Sequence, residues 1–144
     1  MKSVYTVNTP EEMEKFGGAL AQYLQAYSPA AAVIYLRGDL GAGKTTLVRG
    51  TLRALGYVGL VKSPTFTLVE TYSITPHDIY HFDLYRISDP EELEYIGLRE
   101  FCGQHSLCFI EWPDQGKSMV PEPTVELWIE YCDQGRRVTS SVPL

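Results

Sequence analysis

Residues 31–50 read AAVIYLRGDLGAGKTTLVRG. The apolar run AAVIYL is typical of a strand buried on both faces of a parallel sheet. Residues 38–45 match the phosphate-loop pattern G-x-x-x-x-G-K-[ST] in full, between this strand and a predicted helix over about 44–55. The glycines allow a tight turn whose N–H groups point inward, Lys44 would neutralise β- and γ-phosphate oxygens, and the Thr45 hydroxyl would bind Mg²⁺. The stretch therefore predicts a site for a nucleoside triphosphate.

The rest of the chain predicts an α/β domain around this loop. Thr9 is the expected N-cap of a first helix, because Pro10 follows it and Glu12 completes a capping box. Further strands are expected at 3–7, 65–72, 78–87, 107–112, 124–131 and 136–142, with a short acidic helix opening near residue 89. Gly135 should supply the positive φ of the last hairpin turn. We expect residues 1–144 to form a single P-loop ATPase domain, a three-layer sandwich with a mostly parallel sheet and a C-terminal antiparallel hairpin.

Composition and charge exclude several classes of protein. The 144 residues carry 12 basic and 18 acidic side chains, and a net charge of −6 repels bare nucleic acid and anionic membranes. The three cysteines, Cys102, Cys108 and Cys132, lack CxxC spacing and are expected to be reduced thiols. No apolar run approaches the roughly 20 residues of a membrane span, and the N-terminus turns acidic too early for a signal peptide. These features predict a cytoplasmic protein.

Two strand-end carboxylates are candidates to hold the metal. Glu111 ends the apolar run LCFIE, and Asp83 ends IYHFD. A carboxylate at the end of a buried strand lies where ligands bind in open α/β sheets. The sequence pattern alone does not show whether Glu111 or Asp83 binds the metal directly.

Two further features concern the nucleotide. Pro64 favours extended geometry at Ser63, which could present the Thr65 hydroxyl towards the γ-phosphate, although a Ser-Pro-Thr sequence alone more often marks a simple turn entering a strand. Asn8 is the only asparagine in the chain, so no N-K-x-D guanine-reading motif exists. Asn8 to Pro10 and the hairpin near Gly135 are candidates to flank an adenine pocket.

Four motifs together resemble the TsaE (YjeE) family: GDLGAGKTTLVRG, KSPTFTLVETY, YHFDLYRISDPEELEYIGLREF and FIEWP, in order between about residues 33 and 116. The resemblance implies a bacterial ATPase required for threonylcarbamoyl modification of adenosine 37 in tRNAs that read codons starting with A. It also implies that the protein binds a TsaB–TsaD heterodimer, in which TsaD is the transferase, and that ATP supports repeated turnover. Slow hydrolysis in the absence of the partner is expected.

The resemblance also assigns roles to residues. The nucleotide-binding loop would comprise Gly38, Asp39, Leu40, Gly41, Ala42, Gly43, Lys44, Thr45 and Thr46. Thr45 and Glu111 would be metal ligands, and Asp83 would orient water or metal without binding it directly. Lys44, Asp83 and Glu111 form the expected catalytic set. Thr65 is the switch candidate, Trp112 could report the nucleotide state to a partner, and Arg86 is either a charge stabiliser or part of a surface salt bridge.

The acidic balance implies that tRNA is reached through the partner, and neither membrane nor direct DNA binding is expected. One alternative is a small-molecule or nucleoside kinase with Asp83 as base, although no acceptor motif can be named. Another is a nucleotide-dependent binding module without useful hydrolysis.

Overall fold

The computed structural model describes residues 2–103 and 105–144. Within these ranges the strands are β1 (Ser3–Val7), β2 (Ala32–Arg37), β3 (Val69–Ile74), β4 (His77–Asp83), β5 (Ser106–Glu111), β6 (Val125–Cys132) and β7 (Gly135–Ser140). The helices are α1 (Pro10–Tyr27), α2 (Lys44–Ala54), α3 (Glu92–Ile96) and α4 (Leu98–Phe101), and a 3₁₀ segment covers Pro113–Met119. None of the helices in this part of the chain has both the length and the apolar character needed to cross a bilayer.

The strands form one sheet in the order β1-β7-β6-β2-β5-β4-β3. The four central strands, β6, β2, β5 and β4, are parallel, whereas β1, β7 and β3 pair antiparallel at the two edges. Tight connections join β6 to β7 and β3 to β4, which permits antiparallel pairing, whereas parallel neighbours need crossovers. The predicted parallel centre and C-terminal hairpin are confirmed.

Helices cover both faces of the sheet, as the three-layer prediction required. One core lies between the sheet and helices α1 and α2, and a second lies between the opposite face and α3 and α4. Since β2, β4 and β5 are parallel, their carboxyl ends meet at one edge. The loop between β2 and α2 starts at that edge.

Helix α1 begins as the sequence predicts. The Glu12 amide donates a 3.1 Å hydrogen bond to the Thr9 hydroxyl, and Pro10 occupies the first turn. Because the residues buried on α1 recur at helical spacing, one face of the helix packs inward. This buried face includes Met13, Phe16, Leu20 and Leu24.

Two predicted strands are shorter in the structure. The strand expected over 65–72 begins only at Val69, because the chain turns first: the Leu68 amide donates to the Pro64 carbonyl at 2.9 Å. The strand expected over 78–87 ends at Asp83 and is followed by a turn, in which the Ile87 amide donates to the Leu84 carbonyl at 3.1 Å. Both turns lie at the carboxyl edge of the sheet, next to Asp83.

Glycine permits a close crossing of α1 and α2. A Cβ added to Gly17 would overlap the carbonyl oxygen of Leu47, whereas one added to Gly18 would lie 3.8 Å from the Ala54 Cβ. We therefore expect Gly17→Ala to destabilise the fold by about 2 kcal/mol or more, because the helices must separate. Gly18→Ala should be neutral or stabilise by up to about 1 kcal/mol through helix propensity. Urea unfolding of both variants checks this, and equal effects would contradict the crossing.

Candidate nucleotide and metal site

The loop between β2 and α2 has the conformation that its glycines were expected to provide. Gly41 and Gly43 adopt φ values of 79° and 115°, a conformation that residues with a Cβ rarely adopt. Helix α2 begins directly after Gly43. The Ala42 amide donates to the Asp39 carbonyl at 3.1 Å and closes the turn. The N-terminus of α2 therefore faces the same space as the loop, an arrangement that favours anions.

Lys44 forms a buried ion pair with Glu111. Its side chain is only 5% exposed, and Nζ donates to the Gly38 carbonyl at 2.5 Å. Nζ also lies 3.2 Å from Oε1 of Glu111. A buried ammonium is stable only when such partners replace water.

Glu111 ends β5 and is held from two sides. Its Oε1 faces Lys44, and its Oε2 lies 2.5 Å from Nε2 of His81, a fully buried side chain. Burial raises the pKa of Glu111, but the hydrogen bond and charge of His81, together with Lys44, outweigh it and hold the pKa below its usual value. The carboxylate is therefore ionised at neutral pH, and His81 Nε2 must carry the proton to donate to it.

His81 is a site residue that the sequence analysis did not select. It lies two positions before Asp83 in β4, so both side chains face the same side of the sheet. This period-two relation to a candidate carboxylate was the signal that could have identified it.

Asp83 lies directly beside Glu111 in the parallel register of β4 and β5. Its Oδ1 accepts from the Tyr85 amide at 3.0 Å, whereas Oδ2 is buried without a hydrogen-bond partner among the described residues. A buried carboxylate oxygen without a donor suits a cation or its water. The residues present therefore fit Mg²⁺, and Thr45 and Glu111, the two predicted ligands, line one cavity with the phosphate loop.

The structure places Thr65, the switch candidate, in a cavity that the phosphate loop also lines. Ser63 and Thr65 share a 2.7 Å hydrogen bond between their hydroxyls. Both line a cavity of about 210 Å³ with the phosphate loop and Glu111. The loop residues on this cavity are Leu40, Gly41, Gly43, Lys44, Thr45 and Thr46.

Trp112 and Arg86 occupy different environments. Trp112 adopts φ 56°, and its ring centroid lies 5.1 Å from Lys44 Nζ and 5.0 Å from the Tyr85 ring. Arg86 is exposed, and its guanidinium lies 4.7 Å from the ring centroid of Phe66; neither residue lines the cavity. Trp112 is thus in contact with the buried lysine. A charge-stabilising role for Arg86 stays a prediction.

A second cavity adjoins the loop on the side of the C-terminal hairpin. It measures about 250 Å³ and is lined by Asn8, Thr9 and Pro10, by Gly135 and Arg136, and by Gly41 to Gly43. The two segments that were candidates to flank an adenine pocket are therefore neighbours in space.

Comparisons with known proteins identify the family of this chain. The family model described as "Threonylcarbamoyl adenosine biosynthesis protein TsaE" matches residues 7–139. The chain is 48% identical over 132 residues to the Haemophilus influenzae tRNA threonylcarbamoyladenosine biosynthesis protein TsaE, covering 90% of this chain and 84% of the relative. It is 36% identical over 135 residues to the Bacillus subtilis TsaE, covering 93% and 81%.

A solved structure shares the fold. The crystal structure of Bacillus subtilis YdiB superimposes with a TM-score of 0.73 at 30% identity, covering 97% of this chain and 83% of that one. The sequence resemblance is thereby confirmed over nearly the whole chain. The protein therefore belongs to the TsaE family, whose members act in the biosynthesis of threonylcarbamoyladenosine in tRNA.

Proposed function

We propose that this protein is an ATPase, formed by residues 1–144 as one domain, whose ATP cycle supports a TsaB–TsaD-like transferase pair. The pair would modify adenosine 37 of tRNAs that read codons beginning with A. The observation that carries the proposal is the convergence of Lys44, Thr45 and Glu111 on one cavity at the carboxyl edge of the sheet. These are the residue types that phosphoryl transfer from ATP requires.

Binding of the triphosphate starts with an exchange of partners at Lys44. Its Nζ is shared between the Gly38 carbonyl and one Glu111 oxygen. A triphosphate offers more negative charge than one carboxylate, so the ammonium turns to its β- and γ-phosphate oxygens. Oε1 of Glu111 would then lose its ion-pair partner and could hold Mg²⁺ or accept a hydrogen bond from water. Lys44 thus couples phosphate binding to the preparation of the catalytic carboxylate.

The remaining side chains hold and orient the reacting groups. Bound Mg²⁺ would neutralise negative charge on the phosphate oxygens. Thr45 and Glu111 would hold it, and His81 keeps Glu111 in place through the bond to Oε2. Asp83 orients the metal or its water from the neighbouring strand. Thr65, on the wall of the cavity, is the residue proposed to respond to the γ-phosphate.

The cavity between Asn8–Pro10 and the C-terminal hairpin is proposed to receive the adenine base. It opens directly beside Gly41 and Gly43, so a nucleotide whose phosphates contact the loop can reach it. We expect polar atoms of Asn8 and Thr9, which line this cavity, to form hydrogen bonds with the base edge.

We propose that Trp112 transmits the nucleotide state to the partner. It contacts both Lys44 and Tyr85, and Tyr85 is 48% exposed. When Lys44 moves towards phosphate, its contact with the Trp112 ring changes. Trp112 packs on Tyr85, whose exposed ring a partner could contact. The net charge of −6 disfavours direct binding to tRNA, so tRNA is reached through the partner.

Reconstituted tRNA modification tests the function. A TsaB–TsaD pair, tRNA and this protein are combined with ATP, and modified tRNA per transferase and released phosphate are measured. We expect repeated turnover with the wild type and none with Lys44→Ala, and faster phosphate release when the pair is present. Turnover that does not depend on Lys44 would overturn the proposal, and an ATP-dependent gain of one phosphate on a metabolite would indicate the kinase alternative.

Replacement of Asp83 should separate catalysis from binding. We expect Asp83→Asn to slow phosphate release about 10-fold or more, because the amide orients metal or water less well. Binding of ADP should change by less than about threefold, since Asp83 does not hold the phosphates. Asp78→Asn, an exposed change on the same strand, is the control. Equal loss of turnover and affinity would show that Asp83 binds the metal directly.

A further inference from the structure

The C-terminal hairpin, β6 and β7, holds the outer side of the phosphate loop. The Tyr131 hydroxyl donates to the Leu40 carbonyl at 3.1 Å. The Arg136 guanidinium donates from Nε to the Ala42 carbonyl at 2.9 Å and from Nη2 to the Gly41 carbonyl at 3.3 Å. Two side chains from the hairpin therefore engage three consecutive carbonyls of the loop.

The two side chains also hold each other. Tyr131 and Arg136 are direct partners in the antiparallel register of β6 and β7. The guanidinium carbon lies 4.1 Å from the Tyr131 ring centroid, and Nη1 donates to the Gly135 carbonyl at 3.1 Å. A stacked guanidinium with three hydrogen bonds has little freedom to turn away.

Fixing these carbonyls also fixes the amides of the loop. In a planar trans peptide unit the C=O and N–H point in opposite directions, so a carbonyl held towards the hairpin turns the next amide away from it. The Ala42 amide already donates within the loop, to Asp39. The remaining two amides, those of Gly41 and Gly43, belong to residues that line the cavity of about 210 Å³, so we infer that the hairpin turns them towards a ligand there.

We propose that Tyr131 and Arg136 are positioning residues that preorganise the phosphate loop and so set its affinity for polyphosphate. This inference rests on the proposed nucleotide site. Amides that already point at the ligand need no reorganisation when it binds, which strengthens each contact to an anion. The same hairpin also lines the second cavity through Arg136. Direct contact of Arg136 with the base is the competing role.

Binding of two probes, ADP and inorganic pyrophosphate, tests the proposal in the full-length protein. We expect Arg136→Ala to weaken both by the same factor, about 10- to 100-fold, because two charge-assisted bonds to the loop are lost. Tyr131→Phe removes one neutral bond and should weaken both about threefold. Arg136→Lys should fall between the wild type and Arg136→Ala, since an ammonium cannot reproduce the planar fork. Calorimetry gives the affinities, and circular dichroism gives the unfolding midpoint of each variant.

Arg137→Ala is the matched control. Arg137 is the next residue of β7, is half exposed and pairs with Glu130 at 3.8 Å, outside the loop. Its replacement should leave both affinities unchanged. A loss confined to ADP would assign Arg136 to the base and overturn the positioning role.

Unchanged pyrophosphate binding in Tyr131→Phe and Arg136→Lys, both chosen to preserve folding, would also overturn the positioning role. A wild type that binds neither probe would instead refute the proposed nucleotide site, and the positioning role with it.

Discussion

Replacing Lys44 with alanine will weaken ATP binding by about 100-fold or more, since a buried charge-assisted contact to the phosphates is lost. The change removes the ammonium that lies 3.2 Å from Glu111 and leaves that carboxylate buried with His81 as its remaining partner. Without the ammonium, the phosphates would approach a buried carboxylate whose charge Lys44 no longer offsets. Calorimetric titration with ATP and Mg²⁺ measures the effect.

Lys15→Ala is the control for Lys44→Ala, because Lys15 is an exposed lysine on α1. It should leave the affinity unchanged. The unfolding midpoint of the Lys44 variant must be measured alongside, so that loss of binding is read on folded protein. An affinity within threefold of the wild type would contradict the role given to Lys44.

Replacing Glu111 with glutamine will reduce ATP hydrolysis about 100- to 1,000-fold, because charge at the reacting centre is lost while the side chain keeps its size. The amide oxygen can still accept from His81, and Lys44, which would then face the amide nitrogen, keeps the Gly38 carbonyl as its acceptor. ADP affinity should change only a few-fold, since Lys44 still binds the phosphates. Phosphate release and ADP titration together separate the two effects, and Glu130→Gln, a half-exposed change on β6, is the control.

The Glu111 variant also decides whether hydrolysis is needed at all. If Glu111→Gln abolishes hydrolysis and repeated tRNA modification fails with it, the ATP cycle is required. If modification continues in Glu111→Gln but stops in Lys44→Ala, nucleotide binding alone is sufficient, and the ATPase account is wrong.

The phosphate loop and its flanking elements could be predicted because their signals are local. The run before Gly38 forms β2, and α2 starts at Lys44. The Thr9 cap of α1 is equally local, since the residues that make it are three positions apart. Short-range chemistry of this kind requires no knowledge of strand pairing.

Features that depend on strand pairing were harder to predict. In the sequence His81 is a single polar residue within a largely apolar predicted strand, which does not indicate a partner. The parallel register of β4 and β5 places it beside Glu111. The contacts of Tyr131 and Arg136 likewise depend on the hairpin folding back over a loop about 90 residues earlier in the chain. The strand predicted to begin at Thr65 begins at Val69, because the turn after Pro64 competes with extension.

The most direct test is a crystal structure with Mg²⁺ and a non-hydrolysable ATP analogue. We expect Lys44 Nζ to leave Glu111 and to lie within about 3 Å of the β- and γ-phosphate oxygens, with the Thr45 hydroxyl on the metal. A nucleotide bound elsewhere, with the pair between Lys44 and Glu111 intact, would contradict it.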